Sequence, residues 1–360
     1  MKIFFYPHTY LRDRQLDTIR RWPVNEAVNP ELAQTRTGAQ VSASYANAPK
    51  LGLSWKQKLP LLNVKLRPKA APKDAAVYVW GGIIATGDFI VDLDNPWSLV
   101  GYNLRAMPIY RSILKRVLLS RRCREIRCMS EACRKSLRVL FGERVYQKAS
   151  VHYPCIPQVV QSVATLSQDG CRFLFVGTQF DIKGGVALLK AFLRVYAQEP
   201  NAKLDVVTHL PSQYEELASR CPGIQIHPAR FSREQIHEQF MRKVDVLVLP
   251  TYVESFGMVA LEALAYGLAV IATDVYALGE MVEDGRNGNL LEPPVSIWDG
   301  ELPSRYYRDI ENIKEHIVRT DTSSFETSLA YAMLRFATDA DWRVSARRES
   351  VHLMKARFSC

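Results

Sequence analysis

Residues 171–294 alternate short apolar runs with longer stretches of mixed character. "CRFLFVG" precedes "GVALLKAFLRVYAQ", "AKLDVVTHL" precedes "SQYEELASRC", and "IQIHP" precedes "SREQIHEQFMRK". "VDVLVLP" then leads into "FGMVALEALAYG", "AVIATDV" into "LGEMVEDG", and "GNLLEPP" closes the series. Strands of about four to seven residues followed by helices of about ten predict βαβ units and a parallel, doubly wound sheet. In such a sheet ligands bind beyond the carboxyl ends of the strands. Gly177-Thr178 and Leu249-Pro250-Thr251 both stand at such ends.

The first half is less regular. "MKIFFYP", "AAVYVWGG" and "DFIVDLD" read as strands, and "SEACRKSLRVLFG" as a helix begun by Ser130. The stretch 23–72 has poor periodicity and many Pro, Asn, Gln and Lys residues, and reads as a loop region. "PCIPQVVQSVATLSQDG" (154–170), with two prolines and a polar end, is the expected linker. Two domains follow, 1–160 and 167–344, within a length of 360 residues that accommodates both. His8, at the end of the first strand, reads as structural.

No apolar run approaches the roughly 18 residues that cross a bilayer. "MKIFFYPHTYLRDR" is too soon broken by Pro7 and charges for a signal peptide, so it reads as a first strand and the protein as cytoplasmic. The seven cysteines are scattered; Cys123, Cys128 and Cys133 recur every five residues, which suits neither a zinc knuckle nor a redox pair, and all seven read as reduced thiols.

Charge separates the halves. Residues 1–166 carry 26 Lys+Arg against 11 Asp+Glu, and residues 167–360 carry 21 against 26. Within the first half, 105–148 alone holds 13 basic and 3 acidic residues. Its run "YRSILKRVLLSRRCREIRC" interleaves cations with Ile, Leu and Val, which fits either a solvated helix with one apolar face or a segment lying on an anionic membrane. No nucleic-acid module or row of stacking aromatics is present there, so nucleic acid is not an expected partner.

The candidate chemistry centres on "ESFGMVALEALAYG" (254–267). Glu254 falls in the strand-to-helix loop and Glu262 about a turn and a half inside the helix, where its neighbours Leu261, Ala263 and Leu264 are apolar. A carboxylate in such surroundings needs partners or a wet cavity. The first amides of that helix, near Ser255, Phe256, Gly257, Met258 and Val259, form an anion site at the positive end of the dipole. Glu254 could accept from sugar hydroxyls beside the anion, and Glu262 from the two hydroxyls of a ribose. In "FLFVGTQFDIKGG" (173–185), Lys183 with Gly184 and Gly185 opens a helix and could grip a phosphate, although G-x4-G-K-[ST] is missing. "DLD" at 92–94 resembles a metal-holding D-x-D. In a parallel-sheet chain the better expectation is that Asp94 meets an acceptor or a catalytic proton, with a helix cap before Pro96 as the plain alternative.

These motifs carry a resemblance. "VGTQFDIKGG", "VLVLPTYVESFGMVALEALAYGLAVIATDV" and "GEMVEDGRNGNLL" resemble the donor domain of family-4 retaining glycosyltransferases, over about a third of the chain. "IRCMSEACRKSL" and "KASVHYPCIP" resemble the end of that family's acceptor domain and its hinge. The resemblance implies a GT-B fold: two Rossmann-like, doubly wound parallel-sheet domains facing across a cleft. Residues 1–160 would bind the acceptor and 167–344 the nucleotide-sugar, UDP- or GDP-linked. The last helix, 345–360, would cross back to the first domain. It also implies that Glu254 holds the donor sugar, Lys183 neutralises the leaving diphosphate beside Gly177 and Thr178, and Glu262 binds the ribose. No metal or other cofactor would be needed, and the acceptor would be a saccharide, lipid-linked where the basic segment meets the inner face of the plasma membrane. The family's arginine after the first-motif glycine is replaced by Thr178, and its early Gly-Gly loop by "FFYPHTYLRDR". A nucleotide-sugar epimerase, a phosphorylase and a non-catalytic binder of nucleotide or glycan share related folds.

Overall fold

The computed structural model describes residues 1–7, 11–34, 59–156, 160–163, 170–304 and 310–358. His8 and most of the expected linker lie outside these, as do residues 35–58 of the irregular stretch. The chain forms two compact units: Met1–Cys155 with Gly300–Pro303, and Ile156–Asp299 with Ser304–Cys360.

In the first unit, strands β1 (Ile3–Tyr6), β3 (Ala76–Trp80), β5 (Phe89–Leu93), β6 (Cys123–Cys128) and β7 (Ala149–Val151) pair in that order, all parallel. The strands β2 (Val64–Lys65) and β4 (Ile83–Ile84) form a separate small pair. Every residue of β3 and β5 is buried, as a sheet covered on both faces requires. Ile3, Phe5, Leu16, Ile19 and Tyr78 make the core on the side of helix Asp13–Arg21. Ser130 begins helix Glu131–Phe141 as expected, its hydroxyl accepting from the Cys133 amide at 3.0 Å.

In the second unit, six parallel strands run in the order β10 (Ile224–Pro228), β9 (Lys203–Thr208), β8 (Arg172–Val176), β11 (Val246–Leu249), β12 (Ala269–Thr273) and β13 (Gly288–Leu291). Counted from β8 this is 3-2-1-4-5-6, the Rossmann order. "LGEMVEDG", expected as a helix, forms only a 3-10 turn, Leu278–Glu280. Phe173, Phe175, Leu188, Phe192, Leu329 and Phe336 fill the core on the side of helices Gly185–Gln198 and Ser323–Thr338.

The division falls after Cys155, inside the expected linker. The end of the chain packs with the second unit, where 345–360 was expected to return to the first. The reason is specific: on helix Ala340–Leu353, Arg347 pairs with Asp245 at 2.8 Å and donates to the Gly267 carbonyl at 2.9 Å, both groups of the second unit. The expectation of seven reduced thiols fails at Cys155, which is disulfide-bonded, whereas Cys123, Cys128, Cys133, Cys171 and Cys221 are free and buried; Cys360 lies outside the described residues.

Candidate functional site

The strand order places β8 beside β11, with β9 on one side and β12 on the other, so the connections leaving β8 and β11 diverge. Ligands of such sheets sit in the crevice opened there. The two loops are tied together: the Tyr252 amide donates to the Ile182 carbonyl at 2.9 Å. Lys183 then reaches across, its ammonium 2.9 Å from Glu254 Oε2 and 2.8 Å from the Val253 carbonyl. Both side chains are mostly buried, at 20% and 17% exposure. Two charges 71 residues apart in sequence thus meet at the switch point.

Glu254 also accepts from the amides of Ser255 at 3.0 Å and Phe256 at 3.5 Å through Oε1. Gly257 caps helix Met258–Ala265 with φ +93°, and a Cβ there would lie 2.5 Å from Leu278 Cδ2. The helix begins where the sequence places it. The Met258 and Val259 amides, at its first two positions, have no carbonyl one turn earlier within the helix.

Glu262 has found partners the sequence did not indicate. Arg233 Nε lies 2.8 Å from its Oε1 and His237 Nε2 3.6 Å from its Oε2, with all three side chains at 12–13% exposure. Arg233 begins a short helix, Arg233–Ile236, capped by Ser232, and His237 follows on a turn of π-helix. Their spacing of four residues on one helical face, in "SREQIHEQF", is the signal that could have revealed them. Helical side chains lean toward the N-terminus, which carries the Glu262 carboxylate back over the first turn.

Lys183, Gly184 and Gly185 do not form an open cradle of amides. Their N–H groups donate to the carbonyls of Gln179, Asp181 and Phe180 at 3.1, 3.1 and 2.9 Å. Gly184, at φ +74°, is there because a Cβ would stand 1.9 Å from the Pro250 carbonyl oxygen, and Gly185 because one would stand 2.2 Å from the Phe180 ring. Gly177 continues β8, its amide on Val207 and its carbonyl accepting from the Thr208 hydroxyl at 2.6 Å, and Thr178 is exposed beyond it. Gly184→Ala should therefore lower stability by about 2 kcal/mol or more, read as a fall in the urea midpoint.

Asp94 belongs to the first unit. It accepts from the Tyr102 hydroxyl at 2.8 and 2.9 Å and from the Asn95 amide at 2.9 Å. Desolvation of its hydroxyl end and the neighbouring Asp94 carboxylate raise the Tyr102 phenol above its ordinary pKa, although the residue as a whole is exposed, so it stays a donor. The cap before Pro96 is Asn95, whose side chain accepts from the Trp97 amide at 3.0 Å. Asp92 is buried against Arg14 at 2.9 Å and the Tyr78 hydroxyl at 2.6 Å. Among the described residues no group of three or more His, Cys, Asp or Glu side chains could hold a metal ion.

The family model for group 1 glycosyl transferases matches residues 170–298. These residues are similar to the group 1 glycosyltransferases. Across 183 residues the chain is 30% identical to a D-inositol 3-phosphate glycosyltransferase of Paenarthrobacter aurescens, covering 51% of this chain and 36% of that protein. Across 195 residues it is 29% identical to the enzyme of the same name from Streptomyces scabiei, covering 50% and 40%. The matched stretch spans well under half of either relative. Among solved structures, Anabaena HepE in complex with UDP and glucose superimposes with a TM-score of 0.60 at 13% identity, covering 100% of this chain and 96% of that one. The pneumococcal O-GlcNAc transferase GtfA, in complex with UDP and GlcNAc, gives 0.53 at 13%, covering 80% and 54%. Identities this low establish the fold, which is GT-B.

Within the matched residues 170–298, all the donor-site candidates from Gly177 to Glu262 lie on the two loops and the helix at the switch point. Asp94 stands in the other unit. The basic run 110–128, expected as one amphipathic segment, is divided between helix Ala106–Leu119 and β6, and the rest of 105–148 holds helices Glu131–Phe141 and Glu143–Lys148. Several of its cations cap carbonyls: Arg122 on Ile84, Arg134 on Ala149, Lys148 on Leu118 and Ser120. Helix Ala106–Leu119 nevertheless exposes Ile109 and Ile113, at 59% and 49%, among Arg105, Lys115 and Arg116. No helix among the described residues is long and apolar enough to cross a membrane.

Proposed function

We propose that the protein is a retaining, metal-independent glycosyltransferase that moves a hexose from a nucleoside diphosphate sugar to a saccharide acceptor. The observation that carries this is the Lys183–Glu254 pair at the switch point, one turn before a helix N-terminus and on the same loop-and-helix unit as Glu262. In the free protein each carboxylate is satisfied by a cation: Glu254 by Lys183, Glu262 by Arg233. Donor binding exchanges these partners. The diphosphate draws Lys183 and the Met258 and Val259 amides, which stabilise charge as the bond to the sugar breaks. Glu254 is released to accept from sugar hydroxyls, and Glu262 to accept from the ribose. UDP is favoured over GDP because HepE and GtfA were solved with it.

Asp94, with its exposed Tyr102 partner, is assigned to the acceptor hydroxyl. The Ile109–Ile113 face, ringed by cations, suits an acceptor anchored in an anionic membrane on the cytoplasmic side. Ile113→Glu should then reduce sedimentation with phosphatidylserine vesicles without altering donor binding. A second reading, a non-catalytic nucleotide or glycan binder, is favoured by the exposed Thr178 where the resembled family carries an arginine. An epimerase would turn over donor with no acceptor present. Glu254→Gln separates these: it should abolish release of free diphosphate while leaving UDP bound. If the variant turns over like the parent, the site is misassigned; if the parent releases no diphosphate with any acceptor, the binding reading prevails.

A further inference from the structure

The first unit holds a cavity of about 360 Å³ that none of the roles above uses, lined by residues of helix Asp13–Arg21, by Trp22, Tyr78 and Asp92, and by Arg127 and His152. That volume lies within the range of small-molecule pockets, about 300–1,000 Å³. Three acids reach its wall, and each is already engaged. Asp92 accepts from Arg14 and the Tyr78 hydroxyl, Glu26 from Trp22 Nε1 at 3.3 Å, and Asp17 from Arg20 at 3.2 Å.

Arg127 is different. Its side chain is 18% exposed, and its guanidinium lies 5.0 Å over the Trp22 ring and 5.8 Å from that of Tyr78. One edge donates through Nη2 to His152 Nδ1 at 2.8 Å. His152 must then carry its proton on Nε2, which faces Glu125 Oε1 at 2.8 Å and Ser150 Oγ at 2.9 Å. Glu125 is also the one carboxylate within 4 Å of Arg127 among the described residues, at 3.8 Å, and His152 holds it. Arg127 Nε is buried and finds no acceptor there. A guanidinium stacked on an aromatic face at a cavity wall, with no carboxylate nearer than 3.8 Å, is arranged to bind an oxyanion. Arg14 and Arg21 border the same cavity.

We propose that this cavity is an oxyanion subsite in which Arg127, beside Arg14 and His152, binds a phosphate or carboxylate carried by a saccharide. That this saccharide is the acceptor rests on the transfer reading above; the site itself does not. A merely structural Arg127 would serve to pin Trp22, and losing it would cost stability. A cation kept for a ligand behaves differently: the carboxylate nearest Arg127, Glu125, is already held by His152, so an apolar residue of similar volume at 127 strands no buried carboxylate and leaves stability near that of the parent.

The test is calorimetric titration of the full chain with inorganic phosphate, glucose 6-phosphate, glucuronate and glucose, with melting curves for each. Glucose 6-phosphate or glucuronate should bind more tightly than inorganic phosphate and raise the Tm, and glucose should do neither. Arg127→Met should leave the Tm of the free protein near the parent's and weaken the oxyanions by at least about tenfold. Arg127→Lys, which retains the charge without the planar edge, should fold and also lose affinity. Lys183→Met, in the other unit, should leave this binding unchanged. The proposal fails if no oxyanion binds the parent, if Arg127→Lys binds as the parent does, or if Arg127→Met melts markedly lower with oxyanion binding unchanged. Inorganic phosphate binding as well as the sugar oxyanions would refute the saccharide. UDP titrated into the same proteins separates the two readings: UDP bound without an oxyanion refutes this subsite alone, and the reverse refutes the donor site alone.

Discussion

Lys183→Met should leave a folded protein with almost no transfer activity. The ammonium lies 2.9 Å from Glu254 and 2.8 Å from the Val253 carbonyl, so it is already held where a diphosphate would meet it. Removing one preorganised group that stabilises developing charge lowers kcat by about 100- to 1,000-fold. The loss should fall on kcat more than on KM, because the charge on the diphosphate grows as the sugar departs. Stability should change little, since Glu254 keeps the amides of Ser255 and Phe256 as donors. Lys183→Met and Glu254→Gln act on one unit, so the double variant should be no worse than the poorer single one. Steady-state kinetics with a melting curve for each variant checks this. A Lys183→Met protein working at the parent's rate would remove the lysine from the mechanism.

The largest stability effect should come from Arg347→Ala. Arg347 and Asp245 are only 11% and 10% exposed, 2.8 Å apart. Asp245 also accepts from the Arg172 amide at 3.1 Å, and Arg347 donates to Gly267. Truncating the arginine strands a buried carboxylate at the foot of β11 and frees the last helix. Breaking such a pair costs about 3–5 kcal/mol, a large share of the roughly 5–15 kcal/mol that keeps a protein folded. The urea midpoint should fall accordingly. Asp245→Asn, which keeps acceptor and shape, should cost less. Equal midpoints for Arg347→Ala and the parent would mean that this contact does not hold the chain's end.

The sheet of the second unit was legible because its strands are apolar runs bounded by Gly and Pro, with periodic helices between them. Gly257 and Ser130 marked their helices for local reasons, one by its backbone freedom and the other by its hydroxyl. What was hidden depended on distant contacts. Gly184 and Gly185 look like a phosphate loop in one dimension, yet the Pro250 carbonyl and the Phe180 ring dictate them. Glu262 among apolar neighbours announced a need for partners, but Arg233 and His237 come from another helix, and although they share one face of it, no local pattern links that face to Glu262. The last helix was expected to cross to the first unit, and only the buried Asp245 shows where it docks. In the basic segment, charge density suggested one surface, whereas many of its cations cap backbone carbonyls within the first unit.

The central claim is that the switch point of the second unit is a nucleoside diphosphate site read by Glu262. Calorimetric titration of the parent and of Glu262→Ala with UDP and GDP tests it most directly. The site described predicts saturable binding of one nucleotide, UDP before GDP, weakened in Glu262→Ala by at least about tenfold through loss of the ribose hydrogen bonds. Absence of binding to either nucleotide, or equal binding by parent and variant, would contradict it.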